Sequence, residues 1–238
     1  MQKSLPFIII IGVLVIALGG GLYLWKRSGA ASHSGSTFAS TNNSAATATD
    51  PSQTQTPPPN DSTPVKSNGK ANSPVVLDEY GDYQCPPCGQ LYPELKQLEK
   101  EYGNQLQIVF HHYPLTKIHK NALLAVHAAE AARNQNKFWE MHDRLYRNQK
   151  EWSDLEDPRP VFISYAHQLG LKIDQFTNDL ASNQIDQRIF ADMQRGSNLG
   201  VTGTPTVFLD SRMVNYQATN LEGLHQGINM LLEQKPRS

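Results

Sequence analysis

Cys85 and Cys88 are the only two cysteines among 238 residues, and they stand two residues apart as Cys85-Pro86-Pro87-Cys88. Two thiols at that spacing can close a small ring, which is the chemistry of a dithiol/disulfide couple. With no third cysteine, the pair belongs neither to a larger disulfide framework nor to an all-cysteine zinc site. The apolar run Val75 to Tyr80 before it predicts a buried strand, and the residues up to Tyr102 after it predict a helix. At a strand-to-helix turn, Cys85 lies where a helix leaves its first N–H groups unpaired and its dipole is positive. Both effects favour a thiolate, which makes Cys85 the attacking sulfur and Cys88 the resolving one. Pro86 suits the first helical position, but Pro86 and Pro87 together remove two donors. The Cys85 pKa is therefore expected above about 4, the low end for such motifs. The bare motif leaves two alternatives open: half of a metal site, or two inert buried thiols.

The elements that must hold this turn follow from pattern. Val75 to Tyr80 is expected as the first strand, Cys88 to Tyr102 as a helix kinked at Pro93, and Leu106 to His112 as a second strand. A helical block comes next. Asn121 to Arg133 carries Ala122, Ala125, Ala129 and Ala132 at spacings that allow close packing. Further helices are expected at Lys137 to Arg147, Arg159 to Leu169, Ile173 to Ala181 and Gln184 to Leu199. After Gly203-Thr204-Pro205 the β-branched and aromatic run Thr206 to Leu209 predicts a strand. Asp210-Ser211 predicts a hairpin turn into Arg212 to Asn215, and Leu221 to Gln234 a closing amphipathic helix. The order is β-α-β, a helical block, then β-β-α.

The first third has a different character. Phe7 to Trp25 is almost wholly apolar and uncharged, and as a helix it would span about 28 Å, close to the hydrocarbon core of a bilayer. Residues 1–27 are expected as a membrane anchor, with a cleavable signal sequence as the alternative. Lys26-Arg27 argue for a cytoplasmic C-terminal side by the positive-inside rule. The candidate disulfide site argues for an oxidising compartment instead. Residues 28–73 are rich in Ser, Thr, Asn and Pro, with Pro57-Pro58-Pro59, and are expected as a disordered tether. Residues 74–238, about 165 of them, are ample for one domain core. A formal net charge of -1 gives no basic field for nucleic acid.

Four segments carry a family resemblance: Asp82-Tyr83-Gln84-Cys85-Pro86-Pro87-Cys88, His119-Lys120-Asn121-Ala122 leading into Ala128 to Ala132, Lys137 to Asp143 with Leu145, and Gly200-Val201-Thr202-Gly203-Thr204-Pro205-Thr206. In this order the chain resembles the DsbA-like thiol:disulfide oxidoreductases, from Val75 to Leu232. The resemblance implies an α/β thioredoxin fold with a helical insertion, about residues 115–200, between the second strand and the cis-proline strand. It implies that Pro205 is the proline held in cis beside the cysteines, preceded by Thr204, at a place suited to pairing with an extended peptide. It also implies that Glu79 is the buried acid beneath the second cysteine, relaying the Cys88 proton. No bound cofactor is implied. The implied partners are unfolded or thiol-containing protein substrates and a membrane redox partner, either a thiol oxidase or an electron donor. The catalytic domain would then be extracytoplasmic on a single-pass anchor. Cys-Pro-Pro-Cys differs from the dipeptides of the best-known strong oxidants, so a reducing role stays open beside the oxidising one.

Eight histidines invite a metal reading. His111 and His112 are adjacent on a strand and point to opposite faces, while His119 and His127 are too far apart for a helical ligand pair. Surface or hydrogen-bonded histidines are expected. Capture of Cu(I) or Zn(II) by Cys85, Cys88 and one histidine, as in a metallochaperone, is the alternative of a different class.

Overall fold

The computed structural model describes residues 67–68 and 72–235. The expected span at Phe7 to Trp25 and most of the expected tether lie outside these residues. No helix among the described residues is long and apolar enough to cross a membrane.

The chain runs β1 (Ser67–Asn68), β2 (Val75–Gly81), α1 (Pro86–Tyr102), β3 (Leu106–His112), α2 (Ala122–Arg133), α3 (Phe138–Arg147), α4 (Gln149–Trp152), α5 (Arg159–Gln168), α6 (Ile173–Asp179), α7 (Asn183–Asn198), β4 (Thr206–Leu209), β5 (Arg212–Met213) and α8 (Leu221–Gln234). The sheet order is β1-β3-β2-β4-β5. β2 is central, parallel to β3 with Val75 opposite Leu106 and Gly81 opposite His112. It is antiparallel to β4, with Leu77 opposite Leu209 and Tyr80 opposite Thr206. The parallel pair needs a crossover, and α1 supplies it. This is a thioredoxin fold, and α2 to α7 form an insertion between β3 and β4, as expected.

Two findings differ from the sequence expectation. Ser67–Asn68 pairs antiparallel with β3, so the sheet takes an edge strand from within the segment expected as tether. The short helix α4 had no predicted counterpart. The expected helix after the cysteines forms as α1, with Pro93 inside it.

Two large apolar clusters make up most of the core, beside a small third one of Tyr80, Val201 and Phe208. Val75, Leu77, Ile108, Val207 and Leu209 of the sheet pack on Leu91, Leu95 and Leu98 of α1 and on Leu224 and Ile228 of α8. The second cluster belongs to the insertion, where Phe138, Met141, Leu145, Trp152, Phe162 and Phe176 surround α2. α2 is buried on nearly all faces because alanines at 122, 125, 128, 129, 131 and 132 let neighbouring helices approach closely. Cys85 and Cys88 belong to this second cluster. The active-site turn is packed by the insertion as well as by the sheet.

The β4–β5 turn places both Asp210 (φ 45°) and Ser211 (φ 67°) in the left-handed region, the geometry that a two-residue hairpin requires. A side chain at such a φ is strained, whereas glycine is not. Ser211→Gly is expected to stabilise the protein by about 1 kcal/mol, read as a raised midpoint in urea unfolding. An unchanged or lowered midpoint would contradict the assignment of strain.

Candidate active site

β2 ends at Gly81, and four residues later Cys85 takes the N-cap position of α1 with an extended backbone (φ -68°, ψ 119°) and no side-chain cap. Both thiols are free. Cys85 keeps 4 % of its surface and Cys88 none, so only Cys85 can be reached from outside. Pro86 and Pro87 occupy the first helical positions and donate nothing. The first backbone donor is therefore Cys88, whose thiol and N–H both favour a Cys85 thiolate and lower its pKa to about 6 against the opposing effect of burial. That is above the low end for such motifs, as the double proline predicts. The Cys88 pKa is pushed well up, first by burial, then by its hydrogen bond to Cys85 and the charge of Glu79. The roles of the two sulfurs are thus set apart by burial, hydrogen bonding and the charge of Glu79.

Thr204-Pro205 is a cis peptide bond, and the Cys85 thiol donates to the Thr204 carbonyl at 3.3 Å. The Thr204 hydroxyl is buried with no partner while Cys85 is a thiol; it favours the thiolate once that forms. The structure thus brings Thr204 and Pro205 beside the cysteines.

Glu79 is in phase with Val75 and Leu77 on the inner face of β2, where an apolar residue would be ordinary. It is 2 % exposed and its Oε1 has no hydrogen-bond partner. Burial first, and the Cys85 charge second, push its pKa up to about 8, while His111 pulls it down. Near neutral pH the carboxyl is mostly protonated. It lines a crevice of about 10 Å³, roughly one water molecule, whose rim carries Lys96 and Glu99.

Sequence reasoning missed the side chains that hold the turn. Asp82, fully buried, accepts from the backbone N–H of Gln84 at 2.7 Å and of Leu115 at 2.9 Å, and from His119 Nδ1 at 2.7 Å. His119 therefore lies in the loop before α2, not on a helix with His127. Gln84 donates to the Ser153 carbonyl at 2.8 Å and accepts from the Asn121 N–H at 2.7 Å. Gln149 of α4 donates to the carbonyls of Tyr83 at 2.7 Å and Cys85 at 2.9 Å. Gly89 makes room for it, since a Cβ there would stand 2.5 Å from Gln149 Oε1. Asp82, Gln84 and Asn121 lie inside the segments that carry the resemblance, so a signal existed. Gln149 had none. His111 and His112 point to opposite faces as predicted, both buried, with Asp78 at 2.8 Å from the first and Glu130 at 2.9 Å from the second.

A buried dithiol at a helix N-terminus, beside a cis-proline loop and above a buried acid, defines the class of thioredoxin-fold thiol–disulfide oxidoreductases. A thioredoxin family model, Thioredoxin_4, matches residues 61–229, and the chain belongs to this family. The probable disulfide bond formation protein D of Bacillus cereus is 32% identical over 158 residues, covering 63% of this chain and 72% of that protein. A segment of Na(+)/H(+) antiporter NhaA 1 from Salinispora arenicola is 37% identical over 160 residues, covering 67% of this chain. The chain spans 24% of that antiporter's length. Among solved structures, oxidised BdbD of Bacillus subtilis superposes with a TM-score of 0.63 at 19% identity, over 71% of this chain and 93% of BdbD. Thiol-disulfide exchange protein alpha-DsbA2 of Wolbachia pipientis gives 0.61 at 22%, over 71% and 88%. Both share the fold.

Proposed function

We propose that this protein exchanges disulfides with thiol-containing protein substrates through Cys85 and Cys88, chiefly as an oxidant in disulfide bond formation. The observation that carries this is the asymmetry of the pair: an accessible sulfur with a pKa near 6 above a sealed one pushed well up. In the oxidising direction a substrate thiolate attacks the Cys85 sulfur of the disulfide, and Cys88 leaves as the thiolate and takes a proton. A second substrate thiolate then attacks the substrate sulfur of the mixed disulfide and releases reduced Cys85. In the reverse direction Cys85 attacks and Cys88 resolves.

Glu79 is the proton store for Cys88 in both directions. Part of its raised pKa comes from the Cys85 charge. A mixed disulfide removes that charge, so Glu79 ionises more readily when Cys88 must give up its proton. Thr204 and Pro205 offer the edge along which an extended substrate lies. The fold, the family and the B. cereus relative support extracytoplasmic work. The apolar stretch Phe7 to Trp25 supports a single-pass anchor, with a membrane thiol oxidase as the partner that restores the disulfide.

A thiolate that stabilises the reduced form makes a dithiol more oxidising. The Cys85 pKa lies between the values of about 7 and about 3.5 that accompany potentials of about -270 mV and about -120 mV in thioredoxin and DsbA, the reference systems for this scale. The reduction potential is expected between these limits when equilibrated against glutathione with thiol trapping. A value at or below about -270 mV would reverse the proposed direction and make the protein a reductant.

A further inference from the structure

Buried polar atoms without partners are rare and call for an explanation. Two belong to residues coupled electrostatically to Cys88: Glu79 Oε1 and the hydroxyl of Tyr146. Tyr146, on α3, is 4 % exposed. Its ring stacks on Tyr92 at 5.4 Å and lies 4.9 Å from that of Tyr83. Glu79 and Gly81 are two apart on β2 and share its inner face. A Cβ at Gly81 would stand 2.9 Å from the Tyr146 hydroxyl. The hydroxyl therefore rests against the strand, one same-face position beyond Glu79, and glycine leaves it the space.

The titratable groups around Tyr146 come from every element it packs against. They are Glu79 from β2, Asp82 and Tyr83 from the turn, Cys88 and Tyr92 from α1, and His142 from α3 itself. Burial first, then the charges of Glu79 and Cys88, hold the phenol proton far above its ordinary range. His142 is kept neutral, chiefly by burial, and is hydrogen-bonded to the Tyr83 hydroxyl at 3.1 Å. Tyr146 is thus a neutral donor with nothing to donate to in the dithiol state. It stands beside two groups that take turns carrying a negative charge during exchange.

We propose that Tyr146 is a positioning residue of the exchange reaction, its hydroxyl stabilising the negative charge shared by Glu79 and Cys88 while the mixed disulfide is resolved. In that step the Cys88 proton passes to the Glu79 carboxylate. The Cys88 thiolate attacks the Cys85 sulfur, the Cys85–Cys88 bond forms, the Cys85–substrate bond breaks, and the substrate sulfur leaves with the electron pair as a thiolate. The cysteine pair is oxidised and the substrate reduced, with no further reactant. Before transfer the charge sits on Glu79, and at attack it sits on Cys88. A neutral donor at the end of β2, coupled electrostatically to both groups, lowers the cost of each if it turns towards the charge as it forms.

This rests on the thiol exchange and on the Glu79 role proposed above, and the test separates them. The full-length protein is loaded with glutathione on Cys85, and the rate of glutathione release is followed against pH. In Tyr146→Phe the ascending limb of the profile is expected to move up by about one pH unit, slowing release about tenfold at pH 7, with the Cys85 pKa unchanged. Fluorotyrosine at position 146, a stronger donor of the same shape, should move the limb the other way and keeps the test open if the phenylalanine variant folds poorly. Glu79→Gln should alter the limb by itself. Superposition of both position-146 profiles on the wild type, with a shift in Glu79→Gln, overturns the Tyr146 assignment alone. Three superposing profiles overturn the Glu79 reading as well.

Discussion

Cys85→Ser will abolish disulfide exchange, and Cys88→Ser will convert the protein into a trap. The two losses differ because the two sulfurs differ in access. Cys85 retains a little surface while Cys88 has none, so every intermolecular bond must form on Cys85. Without Cys85 no mixed disulfide can form, and turnover should fall to the uncatalysed rate, a loss of several orders of magnitude. Without Cys88 the Cys85 thiolate can still attack a substrate disulfide, but release by intramolecular attack is impossible. Mixed disulfides should then accumulate and appear as slow-migrating, reductant-sensitive species in non-reducing gels. A mixed disulfide that gathers instead on Cys88 in the Cys85→Ser variant would reverse the assignment.

The second large effect is expected at Glu79, in stability and in rate with opposite signs. A carboxyl with a pKa near 4.5 when unfolded and about 8 when folded binds a proton on folding throughout the interval between. Stability is then full below about pH 4.5 and declines as pH rises towards 8, because ionising the buried group in the folded state costs more than in the chain. At pH 7 the cost is about 3 kcal/mol by the conversion of pKa units to free energy. Glu79→Gln, neutral and of like shape, should remove most of it. The reduced variant should unfold in more urea than the reduced wild type at pH 7, with the gap closing towards pH 4. Comparing the two proteins isolates Glu79 from the opposite contribution of Cys85, whose lowered pKa adds stability as pH rises. The same substitution should slow resolution by Cys88 by about 10²-fold, the lower range for losing a general base. Parallel stability curves for the two proteins would mean that Glu79 is not the neutral buried acid described here. The pairing of greater stability with slower chemistry is what a carboxyl retained for catalysis predicts.

The local chemistry and the order of elements were legible in the sequence, because both are short-range. Two thiols separated by two residues at the start of a helix frame a dithiol site within four residues, and the runs Val75 to Tyr80 and Leu106 to His112 mark strands by composition alone. The burial of Glu79 was legible only through the family resemblance, since a glutamate on a strand is ordinarily exposed. Asp210-Ser211 was recognisable as a turn because a short polar pair separates two strand-like runs. What tertiary structure decided is everything that depends on contacts between distant segments. Gln149 lies 64 residues from Cys85 yet holds its carbonyl, and no pattern in either segment announces the other. Ser67–Asn68 becomes a strand because β3 offers an unpaired edge, not because two polar residues favour one. The asymmetry of the cysteines also comes from packing. α3 packs in the same apolar cluster as Cys88 and carries Tyr146 to the end of β2, and burial and charge fix which sulfur ionises and which waits.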